Sequence, residues 1–153
     1  MRVADYVVQL LAEHGLKHVF LVTGGGAMHL NDAFTRNENL KPICFHHEQA
    51  CSMAADGYAR LSGKPAIINV TTGPGAINAL NGVFGAFTDS IPIVIIGGQV
   101  KTETIKGLYN PALRQLGDQE VDIISMVKPI TKYAECVYDK HDIRYVIEKA
   151  LYL

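Results

Sequence analysis

Glu48 is the carboxylate best placed for chemistry. It stands between His47 and Gln49, where a short apolar run (Ile43–Phe45) gives way to a helix of small residues that includes Ala50, Met53, Ala54 and Ala55. Facing an apolar crevice, it would lose solvation, hold a proton more readily and suit proton transfer. Facing water, it would only stabilise the positive end of its helix. Both readings stay open at this level. His46 and His47 are neighbours on an extended segment, so their rings point opposite ways and no third ligand accompanies them; no metal site is expected. Two glycine-rich turns, Gly24-Gly25-Gly26 and Gly73-Pro74-Gly75, each end a strand-like run and open a helix-like one. The first lacks G-x-G-x-x-G spacing, and neither is followed by Gly-Lys-Ser/Thr, so dinucleotide and phosphate-loop sites fall away. Each turn is then either a tight strand-to-helix junction or a backbone bared for a ligand. Pro74 suits the first turn of a helix, and Thr72 is placed to cap it.

The elements that must position these residues follow from periodicity. Val3, Val7, Leu10 and Leu11 mark an amphipathic opening helix, with Gly15 where a helix end is expected. His18–Val22, Ile43–Phe45, Ala66–Val70 and Pro92–Ile96 read as strands, and Ala66–Val70 is apolar on both faces, as a buried parallel strand requires. Helices are expected over Ala27–Phe34, Glu48–Leu61, from Gly75 through Phe84, over Val121–Met126 and over Asp142–Leu153. Lys101–Gly117 reads as a long loop with a helical turn, and Thr131–Val137 as a further strand. Strands alternating with helices predict a doubly wound, three-layer α/β/α domain on a mostly parallel sheet, with about six strands when complete. Ligands of such sheets sit beyond the carboxyl ends of the strands, where both glycine turns, Glu48 and the segment after Gly98 would meet.

Composition narrows the classes. The chain has 153 residues, 48% hydrophobic and 19% charged, with 14 basic against 15 acidic residues and a formal charge of −1. One domain with a sizeable core fits that length. The balanced charge gives no pull toward nucleic acid, and the apolar content speaks against disorder. The longest apolar runs are too short to span a bilayer, and only Arg2 precedes the first of them, so neither membrane partner nor leader is expected and the expected location is the cytoplasm. Three cysteines, Cys44, Cys51 and Cys136, without C-x-x-C spacing read as idle thiols. The last helix runs onto Leu151-Tyr152-Leu153 without cap or tail, and the expectation is a domain cut before its last strand.

Taken in order, the residues combine into a resemblance. Val19-Phe20, Gly24-Gly25, His47-Glu48-Gln49, Ala55-Asp56-Gly57-Tyr58-Ala59-Arg60, Thr72-Gly73-Pro74-Gly75-Ala76-Ile77-Asn78, Asp89-Ser90-Ile91-Pro92, Gly98-Gln99-Val100 and Asp118-Gln119-Glu120 span nearly the whole chain. This series resembles the N-terminal, pyrimidine-binding domain of thiamine diphosphate enzymes of the acetolactate synthase type. The resemblance implies that Glu48 hydrogen-bonds N1′ of the cofactor's aminopyrimidine and so promotes loss of the thiazolium C2 proton. It implies that Thr72, Gly73, Pro74 and Asn78, with Gly24 and Gly25, surround the cofactor, and that Gln119 lies toward the substrate. It further implies a 2-oxo acid substrate, a carboligase or decarboxylase activity, Mg²⁺ and diphosphate held by a second domain not present in this chain, and a homodimer or higher homo-oligomer. The helix Ala50–Ala59 is a candidate for that contact. A flavin in a later domain is possible for such enzymes but has no support here. Thr23, His29 and Asp118 depart from the family pattern on the substrate side, where Pro is common at the first and an aromatic at the last; that leaves room for another 2-oxo acid. On this reading the chain alone has no turnover. Two alternatives remain beside it: a separate subunit of a split decarboxylase, and a non-catalytic interaction domain that kept the fold.

Overall fold

The apolar run Ala66–Val70 lies at the centre of the molecule, every residue of it buried. In the computed structural model, which describes residues 1–153, it is the third of four parallel strands: β1 (His18–Leu21), β2 (Lys41–Cys44), β3 (Ala66–Val70) and β4 (Ile93–Gly97). Their order across the sheet is β2-β1-β3-β4, with Val19 opposite Ile67 and Ile67 opposite Val94. The helices are α1 (Val3–Glu13), α2 (Met28–Arg36), α3 (Glu48–Ser62), α4 (Pro74–Asn78), α5 (Leu80–Thr88), α6 (Lys106–Tyr109), α7 (Ile123–Val127) and α8 (Ile143–Tyr152).

Alternation along the strands builds two cores. Val19, Leu21 and Ile67 point to one face, where Leu11 of α1, Phe34 of α2 and Ile147 of α8 cover them. Phe20, Ile68 and Val70 point to the other, against Cys51 and Ala55 of α3 and Ala76 and Ala79 around α4. The result is the three-layer α/β/α domain expected, with four of its strands in place. The chain leaves β1 toward β2 on one side and returns to β3 on the other. This reversal opens a crevice at the carboxyl ends of β1 and β3, the usual ligand position in such sheets.

Most expected elements are present, with shifts at their ends. Strand β2 starts two residues earlier than read, and the run after Pro74 is divided at Ala79 into α4 and α5. Thr131–Val137, read as a strand, is not one. No backbone hydrogen bond joins it to β4; the two flank a largely apolar cleft of about 1100 Å³, closed further by α8. Apolar composition alone does not make a strand when no neighbouring ladder lies within reach of its N–H and C=O groups. No helix is long and apolar enough to cross a membrane.

Helices α3 and α5 approach closely because Gly82 sits over Ser52. A Cβ on Gly82 would fall 2.8 Å from Ser52 Cβ and 2.9 Å from the backbone nitrogen of Met53. Gly85, one turn on, has no atom within 4 Å of the equivalent position. Gly82→Ala is therefore expected to cost about 1–3 kcal/mol through forced separation of the helices. Gly85→Ala should gain up to about 1 kcal/mol from helix propensity. Urea unfolding of both variants checks this, and equal shifts at the two positions would contradict the packing assigned to Gly82.

Candidate active site

Five segments converge at the carboxyl edge of the sheet: the turns after β1, β3 and β4, the start of α3, and the loop preceding α7. Their contacts explain the glycines. Gly26 N–H donates to Thr71 Oγ1 at 3.0 Å, and a Cβ on Gly24 would lie 2.5 Å from Thr71 Cβ. A Cβ on Gly98 would collide with the Gly26 carbonyl. Gly24 and Gly26 thus let the β1, β3 and β4 turns touch, whereas Gly25 is exposed with open space around it. Beneath them Asn69, buried in β3, donates to Asn31 Oδ1 at 2.6 Å, and Asn31 Nδ2 reaches the Gly24 carbonyl at 3.5 Å. Neither asparagine was a candidate from sequence. The available signal was a polar residue inside the otherwise apolar run Ala66–Val70.

Glu48 is the first residue of α3 and is half-buried. Its Oε2 accepts a hydrogen bond from Asn78 Nδ2 at 2.7 Å, and the same amide lies 3.3 Å from His47 Nε2. Asn78 closes α4, so the Pro74-initiated turn of helix delivers the amide to the carboxylate across the crevice from α3. Gly75 sits opposite the other oxygen: a Cβ there would stand 3.2 Å from Glu48 Oε1 and 2.7 Å from Thr71 Cγ2. Oε1 itself accepts no hydrogen bond within the chain, whereas Oε2 is held by Asn78. No Lys or Arg pairs with Glu48; the arginine nearest in its helix, Arg60, is engaged by Asp56 and Asp89 at the far end. A carboxylate oriented by one neutral donor, with one oxygen open and no cation beside it, is suited to share a proton with an uncharged ring nitrogen.

The turn before α4 is shaped by two residues at positive φ. Gly73 has φ 58° and ψ −120°, and Gln119 has φ 57°. The two are packed together so closely that a Cβ on Gly73 would run into the Gln119 carbonyl. Thr72 does not cap α4 as expected: its hydroxyl is turned away from the helix and donates to Gln99 Oε1. Pro74 is exposed at the first helical position, and the Gln119 side chain is exposed as well. Thr23, His29 and Asp118, the three departures from the family pattern, are all exposed. His46 and His47 are both exposed, His47 standing directly before α3. Asp56, Tyr58, Arg60 and Asp89 prove to be scaffold. The Arg60 guanidinium joins Asp56 at 2.9 Å to Asp89 at 2.5 Å, while the Tyr58 ring packs on His18 and Phe20.

Cys51, one turn along α3 from Glu48, is buried, and burial pushes its thiol up to about 12, with the nearby Glu48 carboxylate adding to the shift. At pH 8 the thiol is therefore held in its protonated, unreactive form. Titration of the native chain with a thiol-directed disulfide reagent is expected to modify exposed Cys44 first and to leave Cys51 untouched until denaturant is added. Prompt reaction of Cys51 in the native chain would contradict its place in the core.

Fold and site together define a doubly wound α/β domain that presents a half-buried carboxylate at the switch point of its sheet. Residues 1–126 match the family model described as the thiamine pyrophosphate enzyme N-terminal TPP binding domain, and the chain belongs to this family. It is 39% identical over 150 residues to the acetolactate synthase large subunit of Buchnera aphidicola, covering 98% of this chain and 25% of that protein. It is 39% identical over 153 residues to the chloroplastic acetolactate synthase of Arabidopsis thaliana, covering 98% of this chain and 21% of that protein. With the acetolactate synthase isozyme 3 large subunit of Escherichia coli it shares 37% over 150 residues, 98% of this chain and 25% of that protein. The chain spans between a fifth and a quarter of the length of these curated relatives.

Proposed function

We propose that this chain is the pyrimidine-binding part of a thiamine diphosphate-dependent carboligase or decarboxylase of the acetolactate synthase type, acting on a 2-oxo acid in the cytoplasm and inactive without the diphosphate- and Mg²⁺-binding domain. The observation that carries the reading is the Glu48–Asn78 hydrogen bond, with Glu48 Oε1 left without a partner beside Gly75, in a chain of this family. When bound, thiamine diphosphate supplies a carbon nucleophile for making and breaking the bond beside a 2-oxo group. Glu48 would meet the aminopyrimidine through its open Oε1 while Asn78 holds Oε2. The Thr72-Gly73-Pro74 turn would form the wall of that pocket, with Gly24 and Gly25 on the β1 side, and Gln119, on the loop packed against Gly73, would face the substrate.

Two further parts of the reading have support in the fold. Strand β4 is the edge of the sheet and lines the apolar cleft toward Thr131–Val137, in keeping with a domain of more than four strands. Helix α3 buries Cys51, Ser52, Ala55 and Ala59 inward, so its inner face is core, and a homodimer contact would use the outer side. There Met53 is 50% exposed, and Phe84 of the adjoining α5 is 56% exposed.

The test is to assay the full-length polypeptide with thiamine diphosphate, Mg²⁺ and pyruvate, with and without a second 2-oxo acid as acceptor, beside the 153-residue chain. Turnover is expected only from the full-length protein. Cofactor and Mg²⁺ should move the melting temperature of the short chain by less than about 1 °C, because binding half a ligand weakly adds little stability. A full-length protein that neither binds thiamine diphosphate nor consumes a 2-oxo acid would refute the reading in favour of a non-catalytic domain.

A further inference from the structure

Gln99 lies just after β4, outside the residues that would touch the cofactor, yet it ties three of the converging segments together. Its Oε1 accepts from the Thr72 hydroxyl and, at 3.0 Å, from the N–H of Val100. Its Nε2 donates to the Val121 carbonyl at 3.2 Å. Thr72 directly precedes Gly73, and Val121 follows Gln119 by two residues. The two arms of this one amide therefore hold the Thr72 side chain and the Val121 backbone, on either side of the closest approach in the site, Gly73 against the Gln119 carbonyl.

The rest of the 117–123 loop is anchored from its other side. Glu120 accepts the N–H of Lys106 at 2.8 Å and of Gly117 at 3.2 Å. Asp122 caps α7 by accepting from Ser125 N–H at 3.1 Å, and the Ser125 hydroxyl and N–H hold its carboxyl below the usual carboxylate range. None of these bonds reaches the β3 turn. Only Gln99 links the loop by side-chain hydrogen bonds to the β3 turn, through the Thr72 hydroxyl. That link is directional, since a half-buried amide cannot exchange its donor and acceptor ends without leaving Thr72 and Val121 mispaired.

We propose that Gln99 is a positioning residue: its side-chain amide sets the Thr72-Gly73 turn and the Gln119 loop against each other, and so fixes the wall of the pocket and the placing of Gln119 at once. The proposal rests on the cofactor reading given above for its functional consequence, but not for its structural one.

The test uses the full-length enzyme with Gln99→Met, which keeps the volume and removes both arms, and Thr72→Val, which removes one. Gln99→Met is expected to speed amide exchange across residues 117–123 about tenfold in the cofactor-free protein, and to weaken thiamine diphosphate binding about tenfold, with the melting temperature held within about 3 °C. Thr72→Val should weaken cofactor binding comparably while leaving exchange in 117–123 unchanged, because the bond to Val121 survives. The double variant should bind cofactor no more weakly than Gln99→Met alone, since the two residues act through one bond. Unchanged exchange in Gln99→Met overturns the proposal, and so does a double variant whose losses multiply. A wild-type enzyme that binds no thiamine diphosphate would instead refute the functional reading, with the exchange measurement still deciding the role of Gln99.

Discussion

Glu48→Gln in the full-length enzyme is expected to lower kcat by about a thousandfold while the protein folds and assembles as before. The substitution is isosteric, and the new amide oxygen can still accept from Asn78 Nδ2, which now lies 2.7 Å from Oε2. Half-burial and the absence of an ion pair at Glu48 mean that no charged partner is stranded by the change. What is lost is the ability of the open oxygen to hold or take up a proton. An amide in that position would present either a donor or a carbonyl with little basicity, neither of which can stand in for a carboxylate in proton transfer. Exchange of the cofactor's C2 proton in the loaded enzyme separates this role from later steps, and should slow by a similar factor. Steady-state rates and thermal unfolding complete the measurement. A variant with unimpaired exchange would remove Glu48 from the assigned role. Glu48→Ala should do worse in one further respect: it leaves Asn78 without its acceptor, and its melting temperature should fall where that of Glu48→Gln does not.

Much of this arrangement could be read from residue order, and the parts that could not share a physical cause. Strand β3 was legible because a strand buried on both faces must be apolar throughout, and helices α1 and α3 because their periodicity and the glycines after them agree. Glu48 was legible as a position, at the junction of β2 and α3, but not as an environment. Whether it faced water or a crevice depended on Asn78, thirty residues away, and on Gly75 having no side chain. The glycine turns posed the same difficulty. Local sequence favours a tightly packed turn over ligand approach at both Gly24 and Gly73, but it does not say against what, and the partners are other loops, reached through Thr71 and Gln119 respectively. Local sequence places Thr72 where it could cap the helix, and a partner 27 residues on directs its hydroxyl elsewhere. Thr131–Val137 failed for the converse reason: its local pattern suits a strand, but pairing is a property of two segments, and β4 lies across a cleft from it. Local rules govern elements; contacts between distant loops govern the site.

Gly73→Ala should be the most damaging small substitution in the chain outside the core. Two costs act together. At φ 58° and ψ −120° the backbone is in a region that a Cβ makes unfavourable by about 1–3 kcal/mol. The added carbon would also enter the space of the Gln119 carbonyl, which is backbone and cannot swing aside as a flexible side chain would. Gln119 has no freedom to compensate, because it is itself a non-glycine residue at φ 57° and its loop is held through Gln99, Glu120 and Asp122. Relief therefore requires either the 117–123 loop or the start of α4 to move. The second of these carries Asn78, and with it the bond to Glu48. The expected loss is about 3–5 kcal/mol in urea unfolding of the 153-residue chain. In the full-length enzyme the same change should weaken thiamine diphosphate binding by at least about a hundredfold. Gly25→Ala is the control, since its backbone has no positive φ and no atom lies within 4 Å of the added carbon; it should shift unfolding by less than about 0.5 kcal/mol. If Gly73→Ala were as mild as Gly25→Ala, the packing of the β3 turn against the Gln119 loop could not be the constraint that shapes the pocket.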